Sequence, residues 1–255
     1  MNVPIFIDDY IIHKNIIPKI KKLCETDIGN ILIYGAKGSG KFTLAKTMIN
    51  TFFKKKVEIS KKTITIDKKE LKFYSSQHHF EIILNNNFNK KGLKNLIKYI
   101  TENKDINNNF KLILIKNVEF IDDETIKILK FIIEKKVDDF KFILTTSNIT
   151  KLDKFYLGFF LNLRIPSPQK KELKKLLINN YKVKKEKVDK LLDKNLSLSD
   201  LILNSKIIKK KSIYIDPIIK NVKNIIKLIK KKKLSNILKI REILYNLMSM
   251  NFDLT

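Results

Sequence analysis

Gly35-Ala36-Lys37-Gly38-Ser39-Gly40-Lys41-Phe42-Thr43 decides the reading of this 255-residue chain. The stretch follows the apolar run Ile31-Leu32-Ile33-Tyr34 and leads into Leu44-Ala45-Lys46-Thr47-Met48-Ile49. Strand, glycine loop and helix are the setting a phosphate-binding loop requires, and the spacing is Gly, four residues, Gly, Lys. Gly35 and Gly40 let the backbone turn tightly and bring its N–H groups round an anion. The helix that starts here points the positive end of its dipole at the same anion. Lys41 then reaches the β and γ phosphates as a point charge. The chain has only six glycines, and three of them, Gly35, Gly38 and Gly40, stand in this loop. An ordinary glycine turn before a helix explains the pattern less well, because strand, lysine and helix all fit.

The loop also departs from the usual form. The residue after the lysine is ordinarily Ser or Thr, whose hydroxyl ligates Mg²⁺. Phe42 stands there, and the hydroxyl comes one place later, on Thr43. The loop therefore favours nucleotide binding over a well-formed metal site.

Composition bounds the class. Hydrophobic residues make up 44% of the chain, enough for a real core. No stretch reaches the roughly 18 uninterrupted apolar residues of a membrane span. The first ten residues, Met-Asn-Val-Pro-Ile-Phe-Ile-Asp-Asp-Tyr, lack the basic region of a signal peptide. Cys24 is the only cysteine, which excludes an internal disulfide and a cysteine metal site and fits a reducing compartment. The net charge of +27 makes nucleic acid the first candidate partner. Arg164 and Arg241 are the only arginines, however, and Lys, Asn and Ile dominate as in an A+T-rich genome. Lysine supports nonspecific phosphate contact rather than bidentate recognition.

Read in order, residues 1–29 hold an extended start and a short helix with Ile16, Ile17, Ile20 and Leu23 on one side. Residues 57–84 alternate as strands do, in Thr63-Ile64-Thr65-Ile66 and His79-Phe80-Glu81-Ile82-Ile83. Leu93, Leu96, Ile97 and Ile100 have helical spacing. Buried strands are expected at Lys111–Ile115, Lys141–Thr145 and Phe160–Ile165, with a helix at about Asp123–Glu134 between the first two. Strands alternating with helices imply a mostly parallel sheet covered on both faces. Pro166-Ser167-Pro168 ends this pattern. Residues 170–206 read as a small helical unit, with Leu173, Leu176 and Leu177, then Val188, Leu191 and Leu192, then Leu198, Leu201 and Ile202. Lys209-Lys210-Lys211 is a basic linker. Asp216-Pro217 reads as a helix start, cap then first position. Ile218, Val222, Ile225 and Ile229 form one apolar stripe, Lys230–Lys233 interrupts, and a last helix carries Ile237, Ile240, Leu244, Tyr245 and Met248.

This order of parts resembles the AAA+ clamp loaders, specifically the small subunits of eukaryotic replication factor C and their subunit 3/5 lineage. Gly-Ser-Gly-Lys-Phe-Thr is similar to that lineage's loop, where a residue without a hydroxyl also separates Lys from Thr. Ser75-Ser76-Gln77-His78-His79-Phe80-Glu81 resembles its Ser-x-Tyr-His-Leu-Glu stretch. Asp123–Lys135 is similar to its helix ending in Met-Glu-Lys. Arg164-Ile165-Pro166-Ser167-Pro168 resembles the end of its ATPase core, and Ile237–Leu247 its collar motif Leu-Leu-Glu-Val-Arg-x-x-Leu-Tyr-x-Leu. The resemblance implies an α/β P-loop AAA+ core with a parallel sheet at 1–165, a small helical lid at 166–208 and the start of a truncated helical collar at 209–255. It implies a hetero-oligomeric, ATP-driven machine that opens a sliding clamp and closes it on primer–template DNA. The chain stops about one helix pair into the collar, as a fragment or a reduced protein would.

The departures are specific. Where the family has Asp-Glu-x-Asp at a strand end, this chain reads Lys116-Asn117-Val118-Glu119. A lysine in place of a metal-binding carboxylate opposes Mg²⁺, and an amide such as Asn117 takes up no proton. Glu119 is an acidic side chain in a displaced position. Gly158-Phe159-Phe160 occupies the place of the family's arginine-finger motif, so the charge stabilisation such a finger supplies is lost. The resemblance assigns the sensor-1 asparagine to Asn148, and an ungapped alignment assigns it to Ser147. Asn195–Leu203 has no counterpart of the sensor-2 arginine. Lys130 matches the first residue of the family's Arg-Arg pair, and Phe131 replaces the second.

Other side chains have plainer readings. Adjacent residues on a strand face opposite ways, so His78 and His79 read as structural rather than metal-binding. His13 reads as a surface or helix-start residue, and Arg241 and Tyr245 as collar contacts. Lys127, Lys130 and Lys135 form a basic helix face, suited equally to a DNA backbone and to solvent. The expected function is a small subunit of an ATP-dependent clamp loader. It binds ATP or ADP through Gly35, Ala36, Lys37, Gly38, Ser39, Gly40, Lys41, Phe42 and Thr43, with Asn148 near the γ-phosphate. No catalytic and no metal-binding residue is assigned, and hydrolysis is left to other subunits. The expected partners are other loader subunits, the sliding clamp and primer–template DNA, without a membrane, in the nucleus, a reduced nucleus or a viral factory. The alternatives are a P-loop ATPase or phosphotransferase outside the clamp loaders, using Asp122, Asp123 or Glu119, and a relic that binds neither nucleotide nor DNA.

Overall fold

The computed structural model describes residues 4–26, 28–66, 69–85, 90–102, 110–135, 139–152, 154–193, 196–207, 217–231 and 235–249. The expectations placed on Asn195, Lys209–Lys211, Asp216, Lys232 and Lys233 lie outside the described residues. By its internal contacts the chain divides into two units, Met1–Ile202 and Leu203–Thr255.

The first unit is built on seven strands: β1 (Ile31–Tyr34), β2 (Ser60–Ile66), β3 (Lys69–Ser75), β4 (His79–Ile83), β5 (Lys111–Lys116), β6 (Phe140–Thr146) and β7 (Leu161–Arg164). They form one sheet in the order β2-β3-β4-β5-β6-β1-β7. The pairs β4–β5, β5–β6, β6–β1 and β1–β7 are parallel. The pairs β2–β3 and β3–β4 are antiparallel, so the sheet is mixed and mostly parallel rather than purely so. β1 lies between two strands that follow it by more than 100 positions, with Ile31 opposite both Ile143 and Leu161.

Burial follows the sequence pattern. Leu112, Ile113, Leu114 and Ile115 of β5 are all fully buried, as continuous apolar runs of central parallel strands are. Ile113, Ile115, Leu32, Phe142 and Leu144 join one core cluster with helices α3 (Lys90–Glu102) and α4 (Asp123–Lys135). Leu93, Leu96, Ile97 and Ile100 give α3 its buried stripe, and Leu129, Ile132 and Ile133 give α4 the same. The alternate strand residues Ile31, Ile33, Leu112, Leu114 and Ile143 point to the opposite face and are buried too. Helix α2 (Lys41–Phe52) contacts β1, β6 and α1 (Ile17–Thr26), burying Leu44, Ala45, Met48 and Ile49. β2 and β7 are the edge strands, and the exposed Lys61 and Lys62 of β2 discourage pairing with another chain.

A short helix α5 (Lys154–Phe159) precedes β7, and α6 (Lys170–Asn179), α7 (Lys185–Leu192) and α8 (Leu198–Ile207) follow it. The boundary between the two contact units falls inside α8. Leu173 and Leu177 of α6 and Val188, Leu191 and Leu192 of α7 are buried. The second unit holds α9 (Pro217–Lys230) and α10 (Asn236–Ser249), which contact each other. Asn236 Nδ2 donates to the Leu228 carbonyl at 3.1 Å. Val222, Ile226, Ile229, Ile237, Leu238 and Tyr245 are exposed on this pair.

One backbone approach fixes where the glycine loop leaves the sheet. Ile165 N–H donates to the Tyr34 carbonyl at 2.8 Å, extending the β1–β7 pairing to the edge of the loop. Gly35 (φ 152°) then passes so near that a Cβ would lie 2.1 Å from the Ile165 carbonyl oxygen. Gly35→Ala is expected to cost about 3 kcal/mol or more, since backbone on one side or the other must move. Gly29→Ala, which meets nothing within 4 Å, is the control. Urea or thermal unfolding of the two variants checks this, and equal stability would contradict it.

Candidate nucleotide-binding site

The loop from Gly35 to Gly40 joins β1 to α2 at the carboxyl edge of the parallel strands. Gly38 (φ 77°) and Gly40 (φ 92°) have left-handed backbones that glycine adopts without strain. A Cβ on Gly38 would lie 2.8 Å from the Ser197 Cβ, so the start of the helical unit closes on the loop there. Ser39 N–H donates to the Ala36 carbonyl at 3.2 Å, and Leu44 N–H to the Gly40 carbonyl at 2.9 Å. The first N–H groups of α2 have no partner within the helix, and they face the loop that an anion would enter. Ala36 and Lys37 are exposed, while Ser39 is buried and its hydroxyl has no partner.

Lys41 is the centre of charge. It is only 8% exposed. Its ammonium donates to the carbonyls of Gly35 (2.9 Å) and Ala36 (2.7 Å) and approaches the Ser147 hydroxyl at 3.4 Å. Burial pulls its pKa below the ordinary lysine value; Glu119 opposes that shift and Lys116 adds to it. The reach to Ser147 spans 106 positions of sequence and crosses from the end of β1 to the end of β6. Asn148 turns elsewhere: its Oδ1 accepts from Thr150 N–H at 3.1 Å and Thr150 Oγ1 at 2.6 Å, capping a short 3-10 turn. Of the two residues assigned to the sensor place, Ser147 is the one that meets Lys41.

The residues of the metal place do not fit Mg²⁺. That ion demands near-octahedral oxygen ligands. Phe42 offers a ring, and Lys116 Nζ lies 5.0 Å from its centre. Thr43 instead lines a cleft of about 380 Å³ with Lys46, His79 and Glu81. Among the described residues no three acidic, histidine or cysteine side chains gather as a metal site. Asn117, in the place of a general base, takes a left-handed backbone (φ 63°) and donates its Nδ2 to the Leu84 carbonyl at 3.0 Å. That turn sets up the 3-10 segment Val118–Phe120 and carries Glu119 back toward the loop. Glu119 Oε1 accepts from Ser147 N–H at 3.3 Å, and its Oε2 is buried without a partner. Among the described residues it is the carboxylate whose charge acts on Lys41.

The N-terminal segment closes the loop from the other side. Tyr10 Oη donates to the Gly40 carbonyl at 3.2 Å, and the His13 ring Nε2 lies 3.2 Å from the Ser39 carbonyl. Burial pushes the Tyr10 phenol well above its ordinary value. His13 N–H donates to Glu172 Oε1 at 3.0 Å, while Glu172 Oε2 accepts from Gln169 N–H at 3.1 Å in the cap of α6. One glutamate therefore joins the N-terminal segment to the helices after the sheet. His13 is 5% exposed, which corrects the surface half of its expected place, while its carbonyl accepts from Ile16 N–H at 2.9 Å and Ile17 N–H at 3.2 Å at the start of α1. A lone histidine in an aperiodic stretch gives no local sign of a carbonyl 26 positions away.

Beneath the cleft lies a buried polar network. Ser76 Oγ is 2.6 Å from His79 Nδ1, His79 Nε2 is 3.1 Å from Glu81 Oε1, and Lys46 Nζ is 3.0 Å from Glu81 Oε2. His78 stacks instead on Phe53, with ring centres 4.6 Å apart. At the place of the arginine finger, Phe159 is exposed at the end of α5 and Phe160 is buried. Lys127, Lys130, Phe131 and Lys135 are exposed on α4. In the second unit Arg241 lies over the Tyr245 ring at 5.3 Å.

No family model matches the chain. It is similar to replication factor C subunit 3 of Arabidopsis thaliana, 27% identical over 199 residues, covering 72% of this chain and 56% of the relative. It is similar at 27% identity to replication factor C subunit 5 of rice, covering 68% of this chain and 54% of the relative. A replication factor C small subunit of Acanthamoeba polyphaga mimivirus is 26% identical over 156 residues, 42% of its own length. The chain thus spans about half the length of the curated relatives it matches. Two variants of Thermotoga maritima RuvB share the fold. One has a TM-score of 0.55 at 14% identity, covering 98% of this chain and 74% of the other; the second has 0.56 at 15%, covering 84% and 68%. The α/β core with following helices accordingly has the fold of these RuvB structures.

The Glu81 network generates a pH dependence. Burial alone would raise the Glu81 carboxyl, but the His79 hydrogen bond and Lys46 together outweigh it and leave the pKa below the ordinary value. A carboxylate with a depressed folded pKa stabilises above its unfolded pKa, and that stabilisation is lost as pH falls through the folded one. The urea midpoint should therefore fall as pH drops below about 4.5. Glu81→Gln should remove this component of the slope and cost about 1–3 kcal/mol at neutral pH. An unchanged slope in the variant would contradict the assignment.

Proposed function

We propose that this chain is a small subunit of an ATP-dependent sliding-clamp loader that binds ATP or ADP through Gly35–Thr43 and does not hydrolyse it. The observation that carries the reading is the pairing of an intact loop with a dismantled reaction centre. Lys41 is buried against the loop carbonyls. A lysine and an amide meanwhile hold the positions of the metal carboxylate and the base. Binding needs a cradle of N–H groups and one or two cations. Hydrolysis additionally needs the water oriented and the transition-state charge stabilised, and Gly158-Phe159-Phe160 offers no cation to a neighbouring site.

The similarity to replication factor C subunits supports a place among such subunits, and the exposed apolar residues of α9 and α10 offer surface for them. Lys127, Lys130 and Lys135 of α4 offer sequence-independent contacts to a DNA backbone. No helix among the described residues is long and apolar enough to cross a membrane. In this reading the chain works where DNA is replicated, in a nucleus or a viral factory.

A second reading rests on Glu119, whose buried Oε2 lacks a partner beside Lys41. A carboxylate so placed would polarise water in a working ATPase. Two measurements separate the readings. Calorimetric titration with ADP and ATP should show binding that Lys41→Ala weakens at least tenfold, the loss of a charge-assisted contact. Steady-state phosphate release should stay at background, with and without primer–template DNA. Turnover that disappears in both Lys41→Ala and Glu119→Gln would replace the first reading with the second, and no binding of either nucleotide would overturn both.

A further inference from the structure

The positive charge that a divalent cation brings to a phosphate loop has a covalent counterpart in this chain. Lys116 ends β5, opposite Thr145 of β6, and Tyr34 at the mouth of the loop is opposite Thr146 of the same strand. Lys116 and Gly35 therefore open onto one edge of the sheet with a single strand between them, about 10 Å apart at the backbone. The Lys116 side chain extends over α2, where its Nζ lies 5.0 Å from the centre of the Phe42 ring. Lys46 Nζ lies 5.2 Å from the same ring, but it is engaged by Glu81 at 3.0 Å. For the Lys116 ammonium the ring is the contact that the structure gives. A phenyl face orients an ammonium without consuming its hydrogen-bond donors. The Lys116 charge also reaches Lys41, whose pKa it lowers further. Two ammonium groups thus converge at the loop, and the Glu119 carboxylate beside Lys41 neutralises one of them.

Both substitutions point the same way. Phe42 removes a metal ligand and supplies a seat for a cation, while Lys116 removes a carboxylate and supplies the cation. We propose that the Lys116 ammonium stands in for the divalent cation at the nucleotide's phosphates, so that this chain binds ADP and ATP without metal. The inference rests on the nucleotide-binding reading and specifies the charge arrangement of that same site. Lysine suits the role as a compact charge with three donors for phosphate oxygens. Seated on Phe42, it needs no second ligand to hold it there.

The test is calorimetric titration of the whole chain with ADP and with ATP, once in excess EDTA and once in excess Mg²⁺. The expected dissociation constants agree within about twofold between the two buffers, and Lys116→Ala weakens binding in EDTA on the order of tenfold or more. The double substitution Phe42→Thr with Lys116→Asp restores a hydroxyl and a carboxylate, and it should bind only with Mg²⁺. Thermal melting confirms that each variant is folded, and the comparison of buffers on the unaltered chain needs no variant. Binding at least tenfold weaker in EDTA than in Mg²⁺, or a folded Lys116→Ala that binds as the parent does, would overturn this inference and leave nucleotide binding intact. Absence of binding in both buffers would overturn the nucleotide reading, and the inference with it.

Discussion

The backbone of Gly35 passes so close to the Ile165 carbonyl that a single methyl group would collide with it. Much of the site depends on that approach. It holds the carboxyl end of β1 against β7, so the loop leaves the sheet in a fixed direction and α2 starts where its free N–H groups can face an anion. It also places two backbone carbonyls, of Gly35 and Ala36, where the Lys41 ammonium is held. A residue with a side chain at position 35 would push apart the strands that define the cradle. Gly35 stands where backbone approaches backbone, and Gly38 and Gly40 where the loop turns left-handed.

Around this cradle the charges are distributed differently from a working hydrolase. In such a site, acidic residues gather a metal ion, and a carboxylate directs water. Here lysines 41, 46 and 116 converge at the start of α2, and Glu81 draws Lys46 away into a buried network with His79. Glu119 tempers the charge on Lys41 and accepts from Ser147. On the proposed reading, this arrangement holds a polyanion and offers little to its reaction with water. A subunit that must stay in one state, while neighbours cycle through theirs, would have use for such a site.

Much of the fold was legible in the sequence because its elements are strongly patterned. The continuous apolar runs at Leu112–Ile115 and Phe142–Leu144 read as buried strands, and Leu93, Leu96, Ile97 and Ile100 as a helix stripe. The loop was legible from spacing alone. What escaped was long-range or conformational. The alternation of β2 and β3, against the continuous apolar runs of β5 and β6, marks them as strands with one face outside the core, but the order in which they pair at the sheet edge is set by long-range contacts. The left-handed turn at Asn117, which carries Glu119 to the loop, depends on a side-chain bond to the Leu84 carbonyl 33 positions earlier. His13 and Glu172 meet across 159 positions, and no periodicity announces such a pair. Ser147 and Asn148 are neighbours in sequence, and only the path of the chain after β6 decides which of them reaches Lys41.

The claim that this chain serves as a loader subunit is tested most directly by assembly. Expressed together with the other replication factor C subunits of the same source, the full chain should elute with them in one complex of defined stoichiometry. That complex should persist when Lys41 is changed to Ala, if the site holds nucleotide without driving the machine. Elution of the chain alone, whatever loader subunits are supplied, would contradict the account.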